Sequence, residues 1–396
     1  MTSAPAGLVA LTGATLFDGE RRLEGHALLV DGALIAGVVP RSEIPADAAV
    51  TDLGGGILTA GFIDVQVNGG GGVMLNDAPT PDAMAAIAAA HRRFGTTGLL
   101  PTLITDTPAA TAAAIAAAAE AVSTRPGVIG LHLEGPHLAP ARRGAHLPEL
   151  MRPLTEADAD QLAAAAEAIG TLLVTMAVEQ APPALIRRLA DAGVIVSLGH
   201  TDADYDAAMR AIDAGARSVT HLFNAMSQLG HRAPGMVGAA IDSGAVWCGV
   251  IADGHHVHPA SLSAALRAKR GPGRCVLVTD AMSTVGADGD SFTLNGRTAR
   301  RVDGKLVLAD GTLAGSDIDM AASVRYAVAH LGVSADEALR MATVYPAALL
   351  RHDRIRGRLA PALAADLVHL TPDLHVQATW IAGEHSTPQT SLPLSR

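Results

Sequence analysis

Residues 131–136 read Leu-His-Leu-Glu-Gly-Pro and close an apolar stretch with a charged side chain, Glu134. Three similar stretches follow downstream: Gly-His at 199–200, Thr-His-Leu-Phe-Asn-Ala-Met at 220–226 and Thr-Asp-Ala at 279–281. Each of them ends a β-branched, apolar run, which places a polar side chain at the carboxyl end of a predicted strand. Parallel barrels carry their functional groups at that end. The pattern therefore predicts one site assembled from four separate strands.

Strand-like runs alternate with Ala-rich segments of helical period through the middle of the chain. The eight predicted strands are 62–67, 98–104, 128–134, 171–178, 194–198, 218–221, 246–252 and 274–279. The clearest predicted helices between them are 81–94, 109–122, 156–168, 182–192 and 203–214. This alternation predicts an α/β fold, a (β/α)8 TIM-type barrel. An open doubly wound sheet is the alternative, but no Gly-rich dinucleotide fingerprint follows the first strand.

Both ends of the chain differ from the middle. Residues 8–58 consist of short alternating apolar runs separated by Asp-Gly pairs, and residues 366–370 and 376–383 repeat that style. Short runs of period two with tight turns indicate β-structure. We therefore predict a small discontinuous β-sandwich domain formed by both termini, residues 1–58 and 359–396, around a catalytic barrel of residues 59–358.

Composition limits the classes of partner. The 396-residue chain is 49% hydrophobic and carries a formal net charge of −10, which argues against nucleic-acid and anionic-membrane partners. Its two cysteines lie in apolar stretches, as buried thiols in a reducing compartment do. The first residues lack a basic region followed by an apolar core, so we expect no secretory leader and a cytoplasmic location.

Histidines are concentrated where the strand ends are predicted, with nine of the sixteen between residues 132 and 258. A single histidine is more often a hydrogen-bonded core residue than a ligand. Glu134, His200 and His221 together, each at a strand end, form a set suited to a divalent cation with open positions. His132 lies on the same strand face as Glu134 and is expected to have a structural role.

Two further features of the strand ends bear on the chemistry. Asp280 emerges beside the predicted cation and is the expected general acid/base, although a helix N-cap is the alternative. The first strand carries Gln66 and Asn68 where a binuclear site would have two histidines. Because neutral amides bind transition metals weakly, we predict one tightly held ion, with these two amides as nearby hydrogen-bonding groups. Zinc is the first choice, and iron, cobalt and manganese are the alternatives.

Several loop residues have the chemistry to bind a phosphate monoester. Imidazole and guanidinium groups together with free backbone amides provide the hydrogen bonds that phosphate accepts. The predicted contacts of this kind are His146, Asn224, Ala225, Arg232 and His256.

The ordered motifs resemble the N-acetylglucosamine-6-phosphate deacetylase family of the amidohydrolase superfamily. The resemblance covers nearly the whole chain. The motifs that carry it are Ala60–Asp64, His132–Pro136, Gly144–His146, Gly199–Thr201, Thr220–Met226, Asp253–Val257 and Thr279–Ala281. The first strand has no His-x-His, which resembles the mononuclear members.

The resemblance implies roles for individual residues. It makes Glu134, His200 and His221 the metal ligands, Asp280 the catalytic acid/base, and His146 a group that orients the acetamide carbonyl. The residues implied to contact the sugar phosphate are Ala145, His146, Asn224, Ala225, Asp253, His256, Leu313, Ala314 and Gly315. Arg232 is expected to reach the phosphate bound by a neighbouring subunit, which implies a homodimer.

The expected reaction is metal-dependent hydrolysis of the N-acetyl group of N-acetyl-D-glucosamine 6-phosphate, which gives D-glucosamine 6-phosphate and acetate. Two alternatives remain open at this point. The galacto isomer differs only in the orientation of one hydroxyl group, and a non-catalytic sugar-phosphate-binding barrel would retain the same fold. The presence of three candidate ligands and a candidate base favours an enzyme over a non-catalytic barrel.

Overall fold

The computed structural model describes residues 7–387. Its strands are β1 Leu8–Thr12, β2 Thr15–Phe17, β3 Arg22–Leu23, β4 His26–Asp31, β5 Leu34–Pro40, β6 Ala49–Asp52, β7 Ile57–Ala60, β8 Phe62–Val67, β9 Gly69–Gly70, β10 Val73–Met74, β11 Thr96–Ile104, β12 Leu131–Glu134, β13 Leu172–Met176, β14 Ile195–Leu198, β15 Ser218–Val219, β16 Trp247–Val250, β17 Cys275–Leu277, β18 Ser291–Leu294, β19 Arg297–Val302, β20 Lys305–Val307, β21 Leu367–Leu370, β22 Val376–Ile381 and β23 Glu384–Ser386. Its α-helices are α1 Pro81–Arg92, α2 Pro108–Thr124, α3 Glu156–Ile169, α4 Pro183–Asp191, α5 Tyr205–Asp213, α6 Gly235–Asp242, α7 Pro259–Ala268, α8 Met320–His330, α9 Ala335–Ala342 and α10 Val344–Leu349.

Eight parallel strands form the central barrel in the order β8, β11, β12, β13, β14, β15, β16, β17. The predicted (β/α)8 barrel is confirmed, and the strands follow the predicted order. The barrel closes just after the end of β17. There the Asp280 N–H donates to the Gln66 carbonyl of β8 at 3.0 Å, and Ala281 pairs in parallel with Val67. This seam brings the carboxyl ends of β8 and β17 together.

Most of the α-helices begin at a residue whose side chain caps the helix N-terminus. Thr155 starts α3 with a capping box, since its hydroxyl accepts the Asp158 N–H while the Asp158 carboxylate accepts the Thr155 N–H. Gly170 ends the same helix with a positive φ of 84°, which glycine adopts without strain. No helix between residues 7 and 387 has the length and apolarity needed to cross a membrane.

Ten of the strands outside the barrel form two larger sheets. One has the order β5-β4-β1-β6, and the other has the order β23-β22-β21-β7-β2-β3. In the second sheet β7 pairs with both β2 and β21, so strands from the two ends of the chain share one sheet. Apolar side chains from both sheets, among them Leu28 and Leu367, pack in a common core. This is the predicted discontinuous β-sandwich.

The domain boundaries proposed from the sequence, 1–58 with 359–396 and 59–358, stay predictions. Within them, residues 1–6 and 388–396 lie outside the described part of the chain. A further three-stranded sheet, β18-β19-β20, is inserted between the last barrel strand and α8. Its Leu294 packs with Met282 and Ala314 in a small apolar cluster. The insertion therefore covers one side of the barrel mouth.

Candidate metal centre and substrate cavity

Three ligand atoms meet at the carboxyl ends of β12, β14 and β15. Glu134 is the last residue of β12, and His200 and His221 lie two residues beyond β14 and β15. Glu134 Oε1 lies 3.2 Å from His200 Nε2 and 3.1 Å from His221 Nε2, and the two nitrogens are 3.1 Å apart. All three residues are buried. The predicted convergence of these side chains is present in the structure.

The loop after β12 holds His200 in place. The His200 Nδ1–H donates to the Arg142 carbonyl at 2.8 Å, and the Ala139 N–H donates to the His200 carbonyl at 3.0 Å. Because Nδ1 carries the proton, Nε2 presents its lone pair to the centre. Gly144 has a φ of +55°, which glycine adopts without strain, so the loop can turn beside the His200 imidazole.

This donor set fits a divalent cation. Two imidazole nitrogens and one carboxylate oxygen lie within 4.8 Å of one another, and they are the ligand types of catalytic zinc and related ions. Burial alone would raise the pKa of Glu134, but the neighbouring His200 and His221 imidazoles outweigh burial and hold that pKa well below its usual value. The carboxylate is therefore ionised and ready to bind a cation.

Asp280 lies beside the ligand cluster and is held by the two amides of the first strand. Its Oδ1 accepts hydrogen bonds from Gln66 Nε2 at 3.1 Å and from Asn68 Nδ2 at 2.6 Å. Gln66 Nε2 also lies 3.2 Å from Glu134 Oε1, so the amide bridges the two carboxylates. Burial, together with the charge of Glu134, raises the pKa of Asp280 to about 6. A carboxyl group with this pKa can exchange a proton near neutral pH.

His146 points its second nitrogen towards the ligand cluster. Its Nδ1 accepts the Thr105 N–H at 3.3 Å and lies 2.9 Å from Thr105 Oγ1. The Nε2 atom therefore carries the proton, and it lies 3.7 Å from Glu134 Oε2. Burial and the neighbouring His200 lower the pKa of His146 to about 3, so the ring stays neutral. The geometry provides a neutral N–H donor beside the metal centre.

A cavity of about 380 Å³ opens over these groups. Twelve of the residues named from the sequence line it: Asn68, Glu134, Ala145, His146, His200, His221, Asn224, Ala225, His256, Asp280, Leu313 and Gly315. Four others do not line it: Gln66, Arg232, Asp253 and Ala314. Asp253 accepts the His256 Nδ1–H at 2.6 Å and so orients that ring, while Arg232 is exposed on a neighbouring loop.

The cavity also contains residues that the sequence did not indicate. Arg142 is the only arginine among the described residues that line it, and Leu294 and Thr312 come from the inserted sheet and the turn after it. Both Nε and Nη2 of Arg142 donate to Asp202 Oδ1, at 2.9 and 2.6 Å. The Arg-Arg pair at 142–143, next to the predicted contacts at 145–146, was the available signal for Arg142.

A closed parallel barrel with a Glu/His/His cluster and a buried carboxyl group at its mouth defines a metal-dependent barrel hydrolase. The chain belongs to the amidohydrolase family, whose sequence profile matches residues 57–385. Residues 8–58 match the NagA composite domain. Members of this family usually bind a divalent metal, and the Glu/His/His cluster could hold one.

Individual relatives are similar over most of their length. The chain is 45% identical over 367 residues to an N-acetylgalactosamine-6-phosphate deacetylase of Shewanella sp. (strain ANA-3), with 91% of each chain covered. It is 42% identical over 349 residues to an N-acetylglucosamine-6-phosphate deacetylase of Homo sapiens, with 84% of each covered. The crystal structure of N-acetylglucosamine-6-phosphate deacetylase from Pasteurella multocida matches with a TM-score of 0.92 at 36% identity, covering 96% of this chain and 100% of that one.

Proposed function

We propose that the protein hydrolyses the N-acetyl group of N-acetyl-D-glucosamine 6-phosphate to give D-glucosamine 6-phosphate and acetate. The observation that carries the proposal is the buried Glu134, His200 and His221 cluster beside Asp280, within one cavity. The names of the similar proteins support the substrate class, because each is a deacetylase of an N-acetylhexosamine 6-phosphate.

Glu134, His200 and His221 would hold the cation, which we propose to be zinc, one ion per subunit. When bound, a divalent cation supplies a Lewis acid that polarises the acetamide carbonyl and lowers the pKa of water. Gln66 and Asn68 do not add imidazole ligands, and instead they donate hydrogen bonds to carboxylate oxygens. This arrangement supports a single ion. Metal analysis of the purified protein tests both its identity and its stoichiometry.

Two side chains would act on the reacting atoms. His146 Nε2–H is placed to donate to the acetamide oxygen, where negative charge develops in the transition state. Asp280 uses Oδ1 to accept the two amide hydrogen bonds, and its Oδ2 makes no hydrogen bond within the described chain. Oδ2 would therefore take a proton from the attacking water and deliver it to the nitrogen of the leaving amine.

The sugar phosphate would bind in the outer part of the cavity. His256 and Arg142 offer imidazole and guanidinium donors there, and Asn224 and Ala225 offer backbone groups. Arg232 is exposed and outside the cavity of its own chain, which agrees with a contact to the phosphate in a neighbouring subunit. We accordingly propose a homodimer. We also propose a cytoplasmic location, because both cysteines are buried free thiols.

Acetate release tests the proposal. The 6-phosphorylated sugar should be hydrolysed, the unphosphorylated sugar should be a much poorer substrate, and a chelator should abolish turnover until a divalent metal is restored. Absence of acetate release from metal-loaded protein would refute the proposed function.

A second candidate substrate is N-acetyl-D-galactosamine 6-phosphate. The 45% identity to a deacetylase of that sugar favours it. Because the two sugars differ only in the orientation of the C4 hydroxyl, both present the same acetamide and phosphate to the groups described above. Measuring kcat/KM for the two compounds side by side separates the candidates.

A further inference from the structure

Asp64 is a buried carboxyl group in the seam between the first and last barrel strands. It lies two residues before Gln66 on β8 and has no exposed surface. Its Oδ2 accepts the Thr279 hydroxyl at 2.6 Å, and both carboxylate oxygens lie 3.3 Å from the Thr279 N–H. Its Oδ1 also accepts the Gln66 N–H at 3.2 Å. All of its partners are hydrogen-bond donors from the strands that close the barrel.

No cation within the described chain offsets this charge. Desolvation raises the pKa of Asp64 to about 7, although the hydrogen bonds from Thr279 and Gln66 oppose that rise. Burying a carboxylate without a charged partner is costly, and hydrogen bonds recover only part of that cost. An apolar residue would avoid this cost but would leave the buried Thr279 N–H without an acceptor, so the aspartate is needed for its hydrogen bonds rather than for packing.

The partners of Asp64 lead directly to Asp280. The Thr279 hydroxyl donates to Asp64 and accepts the Ala281 N–H at 3.2 Å. Its hydrogen bonds therefore bridge across Asp280, the residue between Thr279 and Ala281. Asp280 itself has a φ of 54°, in the left-handed region that a non-glycine residue adopts only when its surroundings hold it there. Asp64 thus holds the hydroxyl that bridges across this strained residue.

We infer that Asp64 is a positioning residue, which sets the place of the Asp280 carboxylate through Thr279. The inference rests on the proposed role of Asp280 as the proton-transferring group. An asparagine in place of Asp64 would offer one acceptor oxygen and turn an NH₂ group towards a donor of Thr279. The turn at Asp280 would then relax, and a misplacement of about 1 Å can cost roughly 100-fold in rate.

The test compares Asp64→Asn with a control that loses a buried carboxylate elsewhere. Asp366 is buried in the β-sandwich, accepts the Ala382 N–H at 2.8 Å and lies 3.1 Å from Arg356, away from the cavity. Asp366→Asn should lower Tm and leave kcat within about threefold of the parent. Asp64→Asn should lower kcat about 100-fold, with KM and bound metal per subunit unchanged.

Thr279 provides a second pair of variants in case Asp64→Asn does not fold. Thr279→Ser keeps the hydroxyl and should retain kcat within about threefold. Thr279→Val removes the hydroxyl at similar volume and should reproduce the loss seen in Asp64→Asn. If both variants fold, combining Asp64→Asn with Thr279→Val should cost little more than either change alone, since both break one connection.

Three results would overturn the inference. The first is a kcat loss in Asp64→Asn that is no larger than in Asp366→Asn. The second is a kcat loss in Asp64→Asn that is proportional to a loss of bound metal. The third is full activity in Thr279→Val. A crystal structure of Asp64→Asn gives a readout independent of turnover, because the Asp280 carboxylate should be displaced from its parent position. Lack of acetate release by the parent would refute the proposed function alone, and an undisplaced Asp280 would refute this inference alone.

Discussion

Replacing Asp280 by asparagine removes a proton acceptor and leaves most of its contacts in place. The substituted side chain has nearly the same shape, and its oxygen can still accept hydrogen bonds from Gln66 and Asn68, which lie 3.1 and 2.6 Å from Oδ1 in the parent. Asp280 is outside the Glu134, His200 and His221 ligand cluster, so metal content should not change. General acid–base catalysis contributes roughly 100- to 10,000-fold. We expect a kcat loss of about 1,000-fold, equivalent to ~4 kcal/mol.

The assay follows acetate release from N-acetyl-D-glucosamine 6-phosphate under saturating substrate, with metal content measured on the same preparation. Asp366→Asn serves as the control for loss of a buried carboxylate far from the cavity. Turnover by Asp280→Asn within about tenfold of the parent would leave only ~1.4 kcal/mol to explain and would refute the assigned role. A large loss accompanied by loss of the metal would instead show that Asp280 helps to hold the ion.

Glu134→Gln should lower metal affinity by at least about 100-fold, because losing a ligand should cost more than losing a residue that only hydrogen-bonds to a ligand. Metal analysis after dialysis checks this. Asn68→Ala removes the 2.6 Å hydrogen bond to Asp280, which favours the ionised form. The pKa of Asp280 should rise further, so the acidic limb of the kcat/KM profile should move about one unit to higher pH; an unmoved limb contradicts this. Arg142→Gln should raise KM about tenfold for the phosphorylated sugar and leave KM for the unphosphorylated sugar unchanged. Arg232→Gln should raise the same KM only in preparations that light scattering identifies as dimers.

The barrel was predictable because burial imposes a simple pattern on it. Every residue of β8, β11, β12, β13 and β14 is buried, so apolar residues recur throughout these stretches even where a polar residue interrupts them. Strand ends were less predictable. The run at 218–221 extends past β15, which stops at Val219 because the chain turns towards His221. The functional residue at the end of a strand can thus be identified even when the strand boundary is placed incorrectly.

The candidate metal ligands could be predicted because polar residues at the ends of apolar runs are conspicuous. Arg142 and Thr105 could not be predicted in the same way, since their placement depends on loop conformation. Arg142 reaches the cavity because its carbonyl binds His200 and its guanidinium binds Asp202 across two loops. Leu294 enters from an inserted sheet whose packing onto the barrel mouth is a tertiary contact. No spacing rule connects such residues to the strands that carry the ligands.

Backbone conformation at the barrel mouth shows how the fold places these groups. His200, His221 and Asp280 have φ values of 48°, 29° and 54°, although none of them is glycine. Non-glycine residues held in such conformations cost of order 1–3 kcal/mol each, and they persist only where surrounding contacts hold them. For His200 those contacts come from the loop after β12, and for Asp280 they come from the Thr279 hydroxyl. Because each turn directs a side chain from a strand end towards the common centre, the strain and the site have the same structural origin. Relieving it with glycine would stabilise the turn and remove the functional group.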